Sequence, residues 1–244
     1  MPELARAAGC AFDMLGEGRV AEVVDARSFR LEDGREVRLL GIEPASTANA
    51  KQALAALVTG REVSLHGEDD APDRYGRQRA VVFLAGSNTS VQSLLLSQGQ
   101  ALVSTEIADK DCSATLLSAE GEARRAGKGT WAGPAVIKNA KSPDDILSGI
   151  GRFTLVEGKV LSVRQAGATT YLNFGHNWTQ DFAVTISRRM MPAFESAGLA
   201  LKSLEKKRIR VRGWVEGRPS PRIEVVRVGQ IELLGADLPL HASD

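Results

Sequence analysis

One short stretch, KKRIRVRGWVE, sets charge and an aromatic at a spacing suited to an anionic polymer. In an extended chain successive side chains alternate faces, so Lys206, Arg208, Arg210, Arg212 and Trp214 share one side of a strand while Ile209, Val211 and Val215 share the other. A basic row ending in an aromatic fits a surface that tracks a phosphate backbone and stacks bases of a single strand. The same row also describes a solvated outer face, or a contact with an acidic neighbouring domain. Trp178, in the polar turn GHNWTQD, is a further aromatic placed for contact. In the acidic, turn-prone run HGEDDAPDRYGR, Arg77 offers a guanidinium fork that can hold a phosphate by two hydrogen bonds, or pair with Asp73 or Glu43 instead.

Other chemistry is poorly supported. GEARRAGKGT looks like a phosphate-binding loop, but five residues rather than four separate its first two glycines and Gly129 follows Lys128 where Ser or Thr is needed. Gly127 and Gly129 read as a helix stop. The chain has three histidines and two cysteines, none at metal-ligand spacing, so a zinc site is not expected. Cys10 and Cys112 are either unrelated thiols or a bridge that pins the N-terminal segment to a helix starting near Asp111. Such a bridge would add ~4 kcal/mol on the chain-entropy account and would imply an oxidising compartment.

These residues need a scaffold, and Arg19 to Ser46, RVAEVVDARSFRLEDGREVRLLGIEPAS, supplies its beginning. Alternation over Val20 to Asp25, with further runs at Ser28 to Leu31 and Glu36 to Ile42, predicts three strands, and Asp33-Gly34 predicts a tight hairpin between the last two. An alanine-rich helix at Thr47 to Val58 and strands at Arg61 to Leu65 and Gln78 to Leu84 complete the element order of a five-stranded OB barrel. Helices at Val91 to Gln98 and Ser113 to Ala126 follow, the second with Leu116, Leu117, Ala119 and Ala123 on a buried stripe.

The segments VVDARS, RLLGIEPAS and DRYGR resemble the motifs of the thermonuclease (staphylococcal-nuclease-like) family, V-x-D-G-D-T, R-L-x-G-I-D-x-P-E and D-x-Y-G-R, over roughly Gly18 to Trp131. The resemblance implies a phosphodiester hydrolase in which two aspartates hold calcium, a glutamate activates water and two arginines bind the phosphate. Carried over position by position, Asp25 and Glu43 stand at metal positions, and Arg38 and Arg77 at the phosphate-binding ones. Two positions depart from the pattern: Arg27 replaces a metal aspartate and Ser46 the catalytic glutamate. A guanidinium at 27 would put a positive charge where a hard dication needs oxygen ligands, and a serine without an activating partner is no base at neutral pH. Arg27 either pairs with Asp25 and Glu43 in the ion's place or points into solvent.

After Trp131, Pro134, Asn139, Lys141, Ser142 and Pro143 mark a connection. Beyond it the pattern predicts strands at Phe153 to Val163, Thr169 to Phe174 and Asp181 to Ile186, a helix over Arg188 to Leu204, and strands at Arg208 to Glu216 and Arg222 to Leu233. That order repeats the first half and resembles an accessory OB-like domain of some bacterial thermonucleases. The expected architecture is mainly β with α (α+β), two tandem OB-like five-stranded barrels, the first with added C-terminal helices. The expected organisation is a thermonuclease-like domain over 1–140, a linker over 141–150 and a second domain over 151–244. Charge divides unevenly, with 16 basic against 19 acidic residues before Lys141 and 15 against 11 from there on.

With 43% hydrophobic and 25% charged residues among 244, the composition is that of an ordinary globular protein, and no run approaches the ~18 apolar residues of a membrane span. MPELARAAGC lacks the apolar core of a secretory signal, so either the protein is cytoplasmic or a leader has been removed. The cysteine pair and the exported members of the family favour a periplasmic or secreted protein. The leading expectation is a thermonuclease-like protein, catalytically impaired, that binds nucleic acid (DNA or RNA) or another phosphate ligand, with no cofactor. The alternatives are an active metal-dependent nuclease using Ca2+, and a non-enzymatic adaptor whose arginines serve as salt bridges to a protein partner.

Overall fold

The computed structural model describes residues 10, 12–45, 47–133, 136–217 and 220–235. They form two compact units, Met1–Gly133 and Pro134–Asp244.

In the first unit, β1 (Asp13–Asp25), β2 (Ser28–Leu31), β3 (Glu36–Leu39), β5 (Glu62–Gly67) and β6 (Gln78–Leu84) close a barrel in the order β1-β2-β3-β6-β5. Only β3 and β6 run parallel in that ring. β1 is longer than its alternating segment because it serves two neighbours: Asp13 to Arg19 pair with β5 and Val20 to Asp25 with β2. Register shifts along it let the strand bend as barrel closure demands. The predicted strand Glu36 to Ile42 stops at Leu39, and a separate β4 (Ile42–Pro44) turns away to pair with β7 (Ala101–Val103). Gly41 makes the break: its φ is +83°, and a Cβ there would lie 2.5 Å from Ile107 Cδ1.

Helices α1 (Thr47–Val58), α2 (Val91–Ser97) and α3 (Lys110–Arg125) cover the barrel. Leu54, Leu95, Leu96 and Leu116 bury themselves with Phe29, Val37, Leu39, Leu65 and Val82. Gln92 of α2 is fully buried; its Nε2 donates to the carbonyls of Leu40 (3.2 Å) and Ala80 (2.8 Å) while its Oε1 accepts from Val82 N (3.2 Å). This amide ties the helix to β3 and β6, the two strands that present Arg38 and follow Arg77. At the start of α3 the Asp109 side chain caps the helix by accepting from Cys112 N at 2.7 Å, and Cys112 is disulfide-bonded to Cys10.

The second unit contains an eight-stranded sheet. Its frame is β9 (Phe153–Lys159), β10 (Ser162–Ala166), β11 (Thr169–Asn173), β12 (Ala183–Ser187), β13 (Arg208–Gly217) and β14 (Pro221–Val225), in the order β10-β11-β12-β14-β13-β9. β9 and β10 are two halves of one strand. At the break Val160 N still donates to Lys207 O, on the β13 side, while Leu161 N already donates to Asn173 O of β11. The frame therefore repeats the first barrel's order, including its parallel pair, here β12 and β14. β8 (Ile137–Asn139) adds to β9, and β15 (Ile231–Leu233) lies along the first half of β13, which raises the count above the five expected.

Several local expectations change here. The stretch that reads as a linker contains the helix α4 (Pro143–Leu147). The helix expected over Arg188 to Leu204 is broken into a 3-10 turn, the short α5 (Met191–Ser196) and a second 3-10 turn, because Gly198 takes a φ of +69°. Among the described residues no helix is long and apolar enough to cross a membrane.

Candidate phosphate-binding site on the first barrel

The turn from β1 to β2 fixes the first side chains. Asp25 accepts from its own turn's Arg27 N at 2.8 Å, so this exposed carboxylate holds the loop that presents Arg27. The Arg27 guanidinium reaches back to β4, where its Nη1 forms an ion pair with Glu43 Oε1 and lies 3.5 Å from Ile42 O. Arg27 does not point into solvent. Glu43 is only 4% exposed, and burial pushes its carboxyl up from the ordinary value while Arg27 and, more weakly, Arg38 pull it down.

Arg38 stands on β3, directly across from Ser28 on β2. It is half-buried, and among the described residues its side chain has neither a hydrogen bond nor an ion pair. Burial depresses its pKa, and the cations Arg27 and Arg77 lower it further; Glu106 and Glu43 offset this in part. A guanidinium remains charged through such a shift. Ser28 is fully buried, and among the described residues its Oγ has no hydrogen-bond partner. Paired opposite both Asp25 and Arg38, Ser28 shares their face of the sheet.

Arg77 enters from the turn before β6, a turn closed by Gly76 at φ +79°. Its Nε and Nη2 donate to Asp73 Oδ2 at 2.9 and 2.7 Å, and its backbone N donates to Asp73 Oδ1 at 3.1 Å. Partial burial raises the Asp73 carboxyl, but the Arg77 side chain together with the backbone N–H groups of Arg77 and Tyr75 pull it down to about 2. The hydrogen bond to Asp73 correspondingly raises Arg77. Two cations lie over the Tyr75 ring, Arg77 5.0 Å and Arg74 4.7 Å from its centroid.

Asp25, Arg27, Arg38, Glu43 and Arg77 are thus drawn into one electrostatic neighbourhood from two turns and three strands. Ser46 lies outside the described residues. The contributions of Ser28 and Glu106 escaped the sequence reading: nothing marks a lone buried hydroxyl before register is known, and Glu106 follows β7, which the pattern does not announce. Thr105 beside it takes a φ of +57°, an uncommon conformation for a branched residue, so the loop that carries Glu106 is held rather than free. Among the described residues no group of three or more His, Cys, Asp or Glu side chains is arranged to hold a metal ion.

The residues singled out on the second unit do not make one surface. Arg210 is buried, with its Nε and Nη2 on Glu157 at 2.8 and 2.5 Å and its Nη1 on Glu232 at 2.9 Å. Arg212 is 0% exposed and ion-paired with Glu232. The exposed basic row expected from alternation is therefore corrected. β9 and β15 flank β13 and place Glu157 and Glu232 directly opposite Arg210. Lys206 Nζ donates to Leu161 O at 2.7 Å, and Arg208 is partly buried. Trp214 is half exposed and meets Phe153 edge-on at 6.0 Å; Trp178, at 76%, is the more open of the two.

Residues 36–133 match the model of the staphylococcal nuclease homologue family. The matched stretch contains Arg38, Glu43 and Arg77, begins after Asp25 and Arg27, and covers less than half of the chain. No curated protein matches the chain.

Proposed function

Starting from a staphylococcal-nuclease-like domain in residues 36–133, we propose that the first barrel binds the phosphodiester backbone of nucleic acid without cleaving it. The observation that carries this reading is the contrast between two arginines. Arg27 is committed to Glu43, whereas the half-buried Arg38 has no side-chain hydrogen bond or ion pair among the described residues, is only partly offset by the nearby charges of Glu106 and Glu43, and sits opposite a buried hydroxyl that is unsatisfied among those residues. A buried cation and an orphaned donor both gain from an anion that supplies charge and oxygen acceptors together, as a phosphate does. Arg77, clamped by Asp73, lies within electrostatic reach of Arg38 and adds a second positive charge to the same field.

The donor set does not suit calcium. A hard dication needs several oxygen ligands; here one of the two carboxylates carried over from the metal positions is neutralised by a guanidinium, and the other serves its own turn. Arg27 acts as a fixed cation in the ion's place, which preserves attraction for phosphate and removes the Lewis acid that would activate water. The Cys10–Cys112 bridge supports a periplasmic or secreted location, where such a bond persists.

The test pairs binding with cleavage. Arg38→Ala should weaken salt-sensitive binding of labelled DNA and RNA oligonucleotides, and wild type should cleave neither with calcium present. Arg27→Asp combined with Ser46→Glu should create calcium-dependent cleavage. Wild-type calcium-dependent cleavage that Glu43→Ala abolishes would overturn the proposal in favour of an active nuclease.

A further inference from the structure

The second unit carries a cleft of about 500 Å³, within the size range of ligand sites, over the outer face of β10, β11, β12 and β14. Its floor follows from register. Arg164, Tyr171, Thr185 and Glu224 stand side by side across four strands, with Glu224 at the β14 end of the row, and Ser162, Asn173, Ala183 and Arg222 form the neighbouring row across the same four. Directly opposed residues share a face, while Leu172, Val184 and Ile223 between them fill the core beneath. Among the described residues that line the cleft two are arginines and none is an aspartate or glutamate, Glu224 lying just beyond it at the end of its row. Among the described residues neither the Arg164 side chain, which is exposed, nor that of Arg222, which is half-buried, has a hydrogen bond or an ion pair; even Glu216, opposite Arg222 on β13, forms no ion pair with it.

The wall of the cleft is Trp178, which keeps 76% of its surface exposed on a loop that is tied down. Asn177 N donates to Asp181 Oδ2 at 2.7 Å, Thr179 Oγ1 donates to Asn177 Oδ1 at 2.6 Å, and Ser220 Oγ donates to the Trp178 carbonyl at 3.2 Å. An indole held open in this way bears the full cost of apolar hydration and is pre-organised for a flat partner.

We infer that this cleft binds a short single-stranded segment of nucleic acid, with Arg164 and Arg222 on separate phosphates along the strand and bases stacked on Trp178 and Tyr171. Charge complementarity selects an anion, the two rings lining the cleft select a flat aromatic group repeated along it, and a duplex offers no exposed base faces for them. The inference goes beyond the first-barrel reading and stands without it.

Full-length protein carrying Arg38→Ala, which removes the first-barrel site, isolates the cleft. End-labelled oligothymidylate or oligouridylate should bind this background and quench tryptophan fluorescence. Trp178→Phe should retain binding but lose most of the quench. Trp178→Ala should weaken binding by roughly 5-fold or more, and Arg164→Ala with Arg222→Ala should flatten the log–log salt slope by about 0.7 for each phosphate no longer neutralised. These side chains lie on the outer face, and an unchanged circular dichroism spectrum verifies folding of each variant. Failure of both oligonucleotides to bind the Arg38→Ala background, affinity indifferent to the cleft substitutions, or a duplex competing as well as a single strand would each overturn the inference. The first of these outcomes, with binding intact in wild type, leaves the first-barrel reading in place.

Discussion

Position 27 shows how one side chain redirects a site. A glutamate as buried as Glu43 resists ionising, and Arg27 is what keeps its charge tolerable. Because burial raises Glu43 above its ordinary value, the native state holds that proton more tightly than the unfolded chain. The stability this contributes is full below 4.5 and is lost as pH rises through the raised value. Arg27→Ala should therefore cost about 3–5 kcal/mol at neutral pH and much less near the ordinary glutamate value, where the stranded carboxyl protonates. Urea unfolding at the two pH values measures this, and a penalty that does not change with pH would mean that Arg27 contributes packing alone. Asp73 has the opposite sign: held below 3.8 by Arg77, it contributes stability above 3.8 that disappears as pH falls toward about 2, and Asp73→Asn should remove that acid limb from the stability profile. Asp25, Arg38, Glu43 and Arg77 were legible because their motifs fix residue type and spacing together. Which carboxylate takes the Arg27 guanidinium was not legible, because that depends on how deeply β4 is buried.

β13 teaches the corresponding lesson about elements. Alternation places Arg208, Arg210 and Arg212 on one side and Ile209 and Val211 on the other, and the register agrees. Alternation does not say which side is covered, and here both are: Ile209, Val211 and Arg212 are all 0% exposed. The deciding residues, Glu157 and Glu232, are distant in sequence and come opposite only when β9 and β15 pair with β13. The arginine row is accordingly a stability device. Arg212→Ala should destabilise the second unit by about 3 kcal/mol, because a fully buried side chain is lost and Glu232 keeps Arg210 but loses its second arginine. Replacing the whole set, Arg210→Met, Arg212→Met, Glu157→Leu and Glu232→Leu, should leave it closer to wild type than the single alanine does, since shape is retained and no charge is orphaned. Urea midpoints rank the two variants, and a set that falls below the single substitution would mean that these charges specify the fold. The break between β9 and β10 was also hidden, since FTLVEGKVLSV reads as one alternating run. A strand that must leave β13 and join β11 changes hydrogen-bond partners without changing its sequence pattern.

For the molecule as a whole, the repeated order of elements was readable well before any shared residue was, because strand order follows from where turns and helices interrupt the chain. The connection between the halves was harder to read: proline and asparagine after Trp131 look like a linker, yet β8 and α4 take their hydrogen bonds and packing within the second unit. The two units also secure themselves differently, the first with a disulfide spanning 102 positions and the second with the Arg210–Glu157–Glu232–Arg212 cluster. Cross-linking so long a loop restrains the unfolded chain by about 5 kcal/mol, and that restraint acts on the unit that contains it. Titration of the denatured, unreduced protein should find almost no free thiol. After reduction, the unfolding transition that Arg27→Ala also lowers should move down, while the transition that Arg212→Ala lowers should stay in place. Tryptophan emission can separate them, since Trp131 lies in the first unit and Trp178 and Trp214 lie in the second. If reduction moves both transitions together, the halves unfold as one cooperative body, and each device stabilises the other unit as much as its own.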